Sequence, residues 1–464
     1  MSAHRQFRFA ALFFGTLLLA TAAVGQGTLF TLFTNGPAAK RLNVVVLPEG
    51  YTASQTNLFL IDATNAVNNL LAQPPYQEYK NYFNAYAIFV ASAETGSDHP
   101  LAPLYRNTYF NSSYNSFGNP NLITIPPNNF DVAYTNGQGK VDAILAALFP
   151  QYDMVMMVVN DGEYGGSGGI TLITSVHLLA PEIVVHESGH SFGMLTDEYT
   201  DPYPGYTAIE QPNATAVTSS NSIKWKDWIP SGTLIPTPDV ATNSSRIGLF
   251  QGAQYNTNGW YRPKHDCKMN HLFVGFCEVC GEQLVKSIYT QVRPIDAFLP
   301  AATNFGIYST QAVTFAVTPL QPLTHNLAIQ WYTNNFPANG ATNPLFSLVP
   351  NTLGNGSHTL KAVVMDTTSL VRTDPLNVLK QTNTWNLFVS LNELSLVSAQ
   401  SLTGSRFRFT VTGTAPQGFV LQASTNLVNW SPLSTSMLSA GKFDYTNAGL
   451  TNVAQKFYRT ISPP

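Results

Sequence analysis

Charge is the scarcest resource of this 464-residue chain: Asp, Glu, Lys and Arg make up 11% of it, and the formal net charge is −3. There is no basic excess to hold nucleic acid and no acidic tail, so no nucleic-acid partner is expected. Cysteine is nearly absent, with three residues in all, which excludes a disulfide-dense scaffold. Beyond residue 23 no apolar run is long enough to cross a bilayer, so no membrane span is expected in the mature protein. Asn, Thr, Ser and Gln supply the polar surface instead. With aromatics at 12%, the composition is that of an extracellular, β-rich protein and not of a disordered one. The length calls for roughly two to four domains.

His4, Arg5 and Arg8 precede an apolar stretch from Phe9 to Ala23, the layout of a secretory signal. Ala20-Thr21-Ala22 and Ala23-Val24-Gly25 both offer cleavage sites. Residues 1–25 are therefore expected to be a signal peptide and the protein to be secreted. The competing reading is a membrane anchor, for which the run is short.

From residue 26 to 298 strand and helix patterns alternate. Leu42–Pro48 reads as a buried strand, followed by a helix capped by Ser54 with Phe59, Ala63, Ala66, Val67 and Leu70 on one face. Tyr152–Val159 reads as a strand running into a glycine-rich turn at Gly165–Gly169. Pro181 opens the next helix, and another spans about Cys277 to Val292. Pro294 to Ala302 reads as a linker. Period-two runs then indicate two all-β modules: a sandwich of immunoglobulin or fibronectin type at 299–391, with Trp331 in its core, and a smaller one at 392–464. The expected class is an α/β (α+β) domain with a mixed sheet, followed by two all-β modules.

The stretch richest in chemistry is His186-Glu187-Ser188-Gly189-His190. Two histidines four apart project from one face of a helix, where their imidazoles can share one zinc ion at about 2.0–2.1 Å. Glu187 points to a neighbouring sector and can reach a water on that ion. A catalytic zinc takes three protein ligands. Asp197, on a continuous helix, would lie roughly 10 Å beyond His190 along the axis. The chain must therefore break and turn, and Gly193 is the natural place. Asp197 is the expected third ligand, with Glu198 as runner-up. Thr196, which falls at the spacing of the familiar extended zincin motif, is a poor zinc ligand.

Cys267, Cys277 and Cys280 lie close together in sequence. In an exported protein one disulfide plus one free thiol is the default, with the pairing open. A structural metal site, with His265 and His271 nearby, is the alternative.

His186-Glu187-x-Gly189-His190 followed by Leu195-x-Asp197-Glu198-Tyr199 resembles the signature of the IgA-peptidase-like zinc metallopeptidases, themselves similar to metzincins. Pro48-Glu49-Gly50-Tyr51-Thr52 resembles the family's D-G-Y-T segment, with Glu49 for Asp. Asn160-Asp161 and Tyr164 through Gly169 resemble its N-x-x-x-Y-G-G-S-G-G stretch. Lys224-Trp225-Lys226, Gly248-Leu249-Phe250, Tyr261-Arg262-Pro263 and the Cys267–Cys280 segment also match. The resemblance implies a zinc-dependent endopeptidase acting on protein or peptide, with Met269 beneath the metal as a Met-turn. Residues 392–464 resemble a small β module of exported Verrucomicrobia-type proteins.

The expected mechanism is attack on a peptide carbonyl by a zinc-activated water, with Glu187 as general base. Tyr199, Arg262, Tyr261 and His271 are candidate second donors to the oxyanion. The Gly165–Gly169 turn is a candidate rim where an extended peptide adds as a strand. A different class of function is a surface adhesin or glycan-binding protein with a degenerate enzyme domain, its β modules touching cell surface or glycan.

Overall fold

The computed structural model describes residues 27–127, 136–307, 311–390, 394–404, 406–413, 417–447 and 455–461. The expected signal peptide lies outside them. Among the described residues, no helix is long and apolar enough to cross a membrane. The chain forms two compact units. One comprises residues up to Thr34, Asn43–Leu70 and Asn84–Ser191; the other comprises Asn35–Leu42, Leu71–Phe83 and the chain from Phe192 onward.

The first unit is built on a six-stranded mixed sheet. Its strands are β1 (Thr28–Phe33), β2 (Leu42–Glu49), β3 (Phe83–Phe89), β4 (Met154–Val159), β5 (Gly166–Ser167) and β6 (Leu172–Ser175), in the order β1-β3-β2-β4-β6-β5. β2, β4 and β6 run parallel, while β5 and β1 pair antiparallel at the two edges. Every residue of β2 and β4 is buried, which is why they read as continuous apolar runs without alternation. Helices α1 (Thr56–Leu71), α2 (Gly137–Leu148) and α3 (Ala180–Ser191) complete the unit. A 3-10 turn, Ala53–Gln55, leads into α1, and Ser54 lies inside it; the turn is capped by Thr52, which forms a reciprocal capping box with Gln55. One face of the sheet packs Val45, Leu47, Val155, Met157 and Ile173 against Val141, Ile144 and Leu145 of α2.

In the second unit a two-stranded hairpin, β7 (Phe250–Ala253) and β8 (Asn256–Arg262), is followed by helix α4 (Glu278–Gln291). The segment expected as a linker contains a strand, Ile295–Leu299, that pairs antiparallel with Val313–Pro319. It belongs to a β module of one five-stranded and one three-stranded sheet sharing a core. Trp331 sits in that core as expected, its ring centroid 5.7 Å from that of Trp385. The last module has two three-stranded sheets around Phe409, Val411, Phe419, Leu421 and Leu438.

Candidate active site

Helix α3 begins where the His177 ring Nδ1 accepts the Leu179 amide at 3.1 Å. Ile183, Val184 and Val185 bury its first turns, and the small residues Ser188 and Gly189 are buried as well. That burial fixes the helix about its axis and so aims the motif. His186 is buried, while Glu187 and His190 are half-buried. The two histidine Nε2 atoms lie 3.3 Å apart. Two nitrogens on a tetrahedral ion, each about 2.0–2.1 Å from it, would be separated by roughly 3.3–3.4 Å. One ligand atom each from His186, Glu187 and His190 falls within 4.8 Å of the others. The pair therefore fits a zinc-sized ion without rearrangement.

The glycine-rich turn is part of this site. A Cβ on Gly168 would stand 2.4 Å from His190 Cβ, and one on Gly166 would stand 2.5 Å from Ile183 Cγ2 and 3.5 Å from Glu187 Oε1. β5 thus lies directly against the metal-site face of α3, and only glycine permits that approach. The Gly169 amide donates to Ser191 Oγ at 3.0 Å, which ties the turn to the end of the helix. The peptide-docking rim expected here is partly closed. Gly166 donates to Asn121 O at 3.1 Å and accepts from the Ile123 amide at 3.3 Å, so its strand-pairing groups are already used. Burial raises the Tyr164 phenol above its ordinary pKa, and the nearby Glu187 carboxylate adds to this. Tyr164 is thus a neighbour of Glu187 that motif spacing alone did not single out.

Beyond α3 the chain breaks as required, but not at the expected residue. Gly193 keeps ordinary backbone angles, and Met194 takes the left-handed conformation with φ 56°. Its side chain is exposed, so the turn needs no buried glycine. The following segment is held from several sides. Asn213 accepts the Thr196 amide at 2.9 Å and donates to Thr196 O at 2.8 Å and Glu198 Oε1 at 3.0 Å. The β7–β8 hairpin turns on Gln254 and Tyr255, both left-handed at φ 52° and 60°. Such turns normally take Gly, Asn or Asp, so this one is strained. Its contacts account for it: the Gln254 amide donates to Asp197 O at 3.0 Å and the Tyr255 amide to Tyr199 O at 2.8 Å. The Tyr255 hydroxyl donates to Asp197 Oδ2. Tyr255 and Asn213 have no local sequence signal; both act across more than ten residues of chain.

Glu198, the runner-up third ligand, is committed elsewhere. It is fully buried, and its Oε1 lies 3.7 Å from Cys280 Sγ. The three cysteines are free thiols, not a disulfide and a spare. Cys267 Sγ and Cys280 Sγ stand 3.6 Å apart, against about 2.05 Å for a bond. Met269 is buried, and its carbonyl accepts the Glu198 amide at 2.8 Å.

Arg262 leaves the list of oxyanion donors. It is buried, and its guanidinium donates to Gln251 O, Gly252 O and Asp239 Oδ2, each at 2.8 Å. His271 is paired with Asp266 at 2.7 Å on the surface. Tyr199 is half-buried, its ring 5.9 Å from that of Tyr255.

The model of the family described as IgA peptidase M64 matches residues 30–243 and 239–288, more than half of the chain. The chain belongs to the IgA peptidase M64 family. It is therefore a peptidase of a metallopeptidase family, with protein as its class of substrate. No curated protein matches the chain. Solved structures similar to parts of it include the fibronectin(III)-like modules of Clostridium thermocellum CbhA, at 12% identity over 33% of this chain and 78% of that one, TM-score 0.20. An amphioxus IgVJ-C2 molecule matches at 11% identity over 34% and 98%, TM-score 0.15. Neither likeness is close enough to carry an argument.

The other M64-like motifs build the frame of the site's unit. Glu49 is fully buried and accepts Thr108 Oγ1 at 2.5 Å, the Phe110 amide at 2.9 Å and the Ser112 amide at 2.7 Å. Burial raises its carboxyl above the ordinary range, against these hydrogen bonds. A Cβ on Gly50, which has φ 70°, would meet Gly96 O at 2.1 Å. Asn160 ties in from the next strand: its amide donates to Glu49 O at 2.9 Å and its Nδ2 to Gly50 O at 3.0 Å. The M64 glycine and its carboxylate neighbour thus pin a long loop to the end of β2.

Proposed function

We propose that this M64 chain is a secreted, zincin-like zinc endopeptidase. His186, His190 and Asp197 would hold the ion, with Met269 beneath it. A bound zinc would supply Lewis acidity, drawing the pKa of a water towards neutrality and polarising the scissile carbonyl. Glu187 takes the proton of the attacking water and delivers it to the leaving amine. The single observation that carries this reading is the 3.3 Å separation of the two histidine Nε2 atoms beside a half-buried glutamate. Asp197 is favoured as third ligand because the chain leaves helical geometry before it and because Tyr255 orients its carboxylate. Glu198 is spent in the cysteine cluster. Tyr199 and Tyr261 remain candidates for a second donor to the oxyanion, and Tyr164 joins them.

The test is casein cleavage by the purified protein with matched metal analysis. Wild type should cleave, lose activity to a chelator and recover it with zinc. Glu187→Ala should keep the metal and lose about 10²–10⁴-fold in rate. Zinc bound without cleavage in either protein would favour an adhesin with a relic enzyme domain. Cleavage indifferent to chelator would sink the mechanism.

A further inference from the structure

Four potential metal ligands converge in the second unit, none of them a residue of the His-Glu motif. Cys267, Cys277, Cys280 and Glu198 each offer a ligand atom, all within 4.8 Å of one another, and all four side chains are buried. The separations have the scale of a coordination sphere. Two sulfurs on a tetrahedral zinc, each about 2.3 Å from it, stand roughly 3.8 Å apart, and a sulfur and a carboxylate oxygen roughly 3.5 Å apart. Cys267 and Cys280 sulfurs are 3.6 Å apart, and Cys280 Sγ is 3.7 Å from Glu198 Oε1. Neither distance is that of a disulfide.

Two further observations point to a cation. Glu198 Oε2 is buried without a hydrogen-bond partner, although Oε1 is held by Asn213 at 3.0 Å. A buried carboxylate oxygen left without a partner is costly, and a metal would relieve it. Backbone groups also face the cluster. The Cys277 amide donates to Cys267 Sγ at 3.2 Å, and Cys277 is the N-cap of α4 with Cys280 in its first turn. The free amides and dipole of a helix start favour thiolate there.

We propose that Cys267, Cys277, Cys280 and Glu198 form a closed structural site for zinc, distinct from the His186–His190 site. Three soft thiolates select zinc over calcium or magnesium, and four protein ligands leave no position for a substrate. The ion fastens three segments: the irregular stretch after Met194, the Met269 turn and the start of α4. Since Glu198 follows Asp197 directly, the site is an anchor for the segment that carries that carboxylate.

Cobalt is the probe, because thiolate ligation gives it a near-ultraviolet charge-transfer band that histidine and carboxylate ligation does not. Full-length wild type stripped and reloaded should take up two equivalents of cobalt and show the band. The double variant His186→Ala/His190→Ala should keep one equivalent and the whole band. Cys280→Ser should lose the band, and Glu198→Gln should weaken cobalt binding at that site by about tenfold or more. Should Cys280→Ser fail to fold, thiol titration of wild type in denaturant with chelator and no reductant still decides. Three reactive thiols support the site; one reactive thiol reveals a disulfide and overturns it. A folded double-histidine variant that binds no cobalt, or binds it without the band, overturns it as well.

Discussion

Gly168 lies so close to His190 that a Cβ on the glycine would stand 2.4 Å from the histidine Cβ and 2.9 Å from its Cδ2. Neither backbone has room to retreat, because Gly169 is tied to Ser191 and Gly166 to residues 121 and 123. Gly168→Ala should therefore displace the His190 ring, with an overpacking cost of about 1–3 kcal/mol. Metal affinity at the histidine pair should fall by roughly 10–100-fold, as for other changes that misorient a ligand. Zinc titration against a competing chelator checks this. Unchanged affinity in a folded variant would show that the turn does not position His190.

Glu49 supports the unit and not the chemistry. It is buried at the end of β2 and accepts two amides and a hydroxyl from residues 108–112. Glu49→Ala would strand those three donors and should cost about 3 kcal/mol or more, since each buried unsatisfied group costs about 1–3. Glu49→Gln keeps one acceptor oxygen and should lie between. Denaturant unfolding of the three proteins measures the order. Equal stability of Glu49→Ala and wild type would mean that water or the loop itself satisfies those donors.

What could be read from the sequence was what is local or periodic. His186 and His190 share a face because of helical spacing alone, and the 3.3 Å approach of their nitrogens follows from it. The buried runs of β2 and β4 were legible because both faces are covered. What is set by sheet order was not legible. Nothing in Gly165–Gly169 shows that β5 would be the edge strand under α3, or that Asn121 and Ile123 would cover its outer side. The cysteines were misjudged for a different reason. Export favours a disulfide as default, whereas the structure brings a third sulfur and a distant glutamate to the same point. Arg262 read as one of several candidate donors to the oxyanion, yet its hydrogen bonds go to Gln251, Gly252, Asp239 and His265.

A salt bridge gives the pH dependence a definite sign. Arg41 donates to both oxygens of Asp296 at 2.8 and 3.1 Å. The hydrogen bonds and charge of Arg41, aided by Lys40, hold the Asp296 carboxyl below its ordinary value of 3.8. A depressed carboxylate stabilises the fold at pH above its unfolded value and loses that contribution as pH falls through its folded value. The carboxylate is partly exposed, so the effect is modest. Wild type should melt above Asp296→Asn near neutrality, and the gap should close as pH falls below the ordinary carboxyl value of 3.8 and on through the depressed one. A gap that persists or widens in acid would assign the difference to packing and not to ionisation.

The strained tip of the β7–β8 hairpin offers the sharpest test of the third ligand. Gln254 and Tyr255 hold left-handed conformations that cost about 1–3 kcal/mol each, and what this secures is a grip on Asp197 and Tyr199. Burial and the adjacent Asp197 carboxylate raise the Tyr255 phenol well above its ordinary range, so it stays a donor at any working pH. Tyr255→Phe removes one hydroxyl and leaves the edge-on ring contacts with Tyr199 and Tyr206 in place. If Asp197 is a zinc ligand, losing that hydrogen bond should weaken zinc binding by roughly 10–100-fold with little change in melting temperature. Asp197→Ala should weaken it further, and the two changes combined should be no worse than Asp197→Ala alone, because the hydroxyl acts only through the carboxylate. Additive losses would mean that Tyr255 serves the site by another route. Zinc affinity untouched by Asp197→Ala would remove that residue from the coordination sphere and leave the histidine pair to be completed by another group.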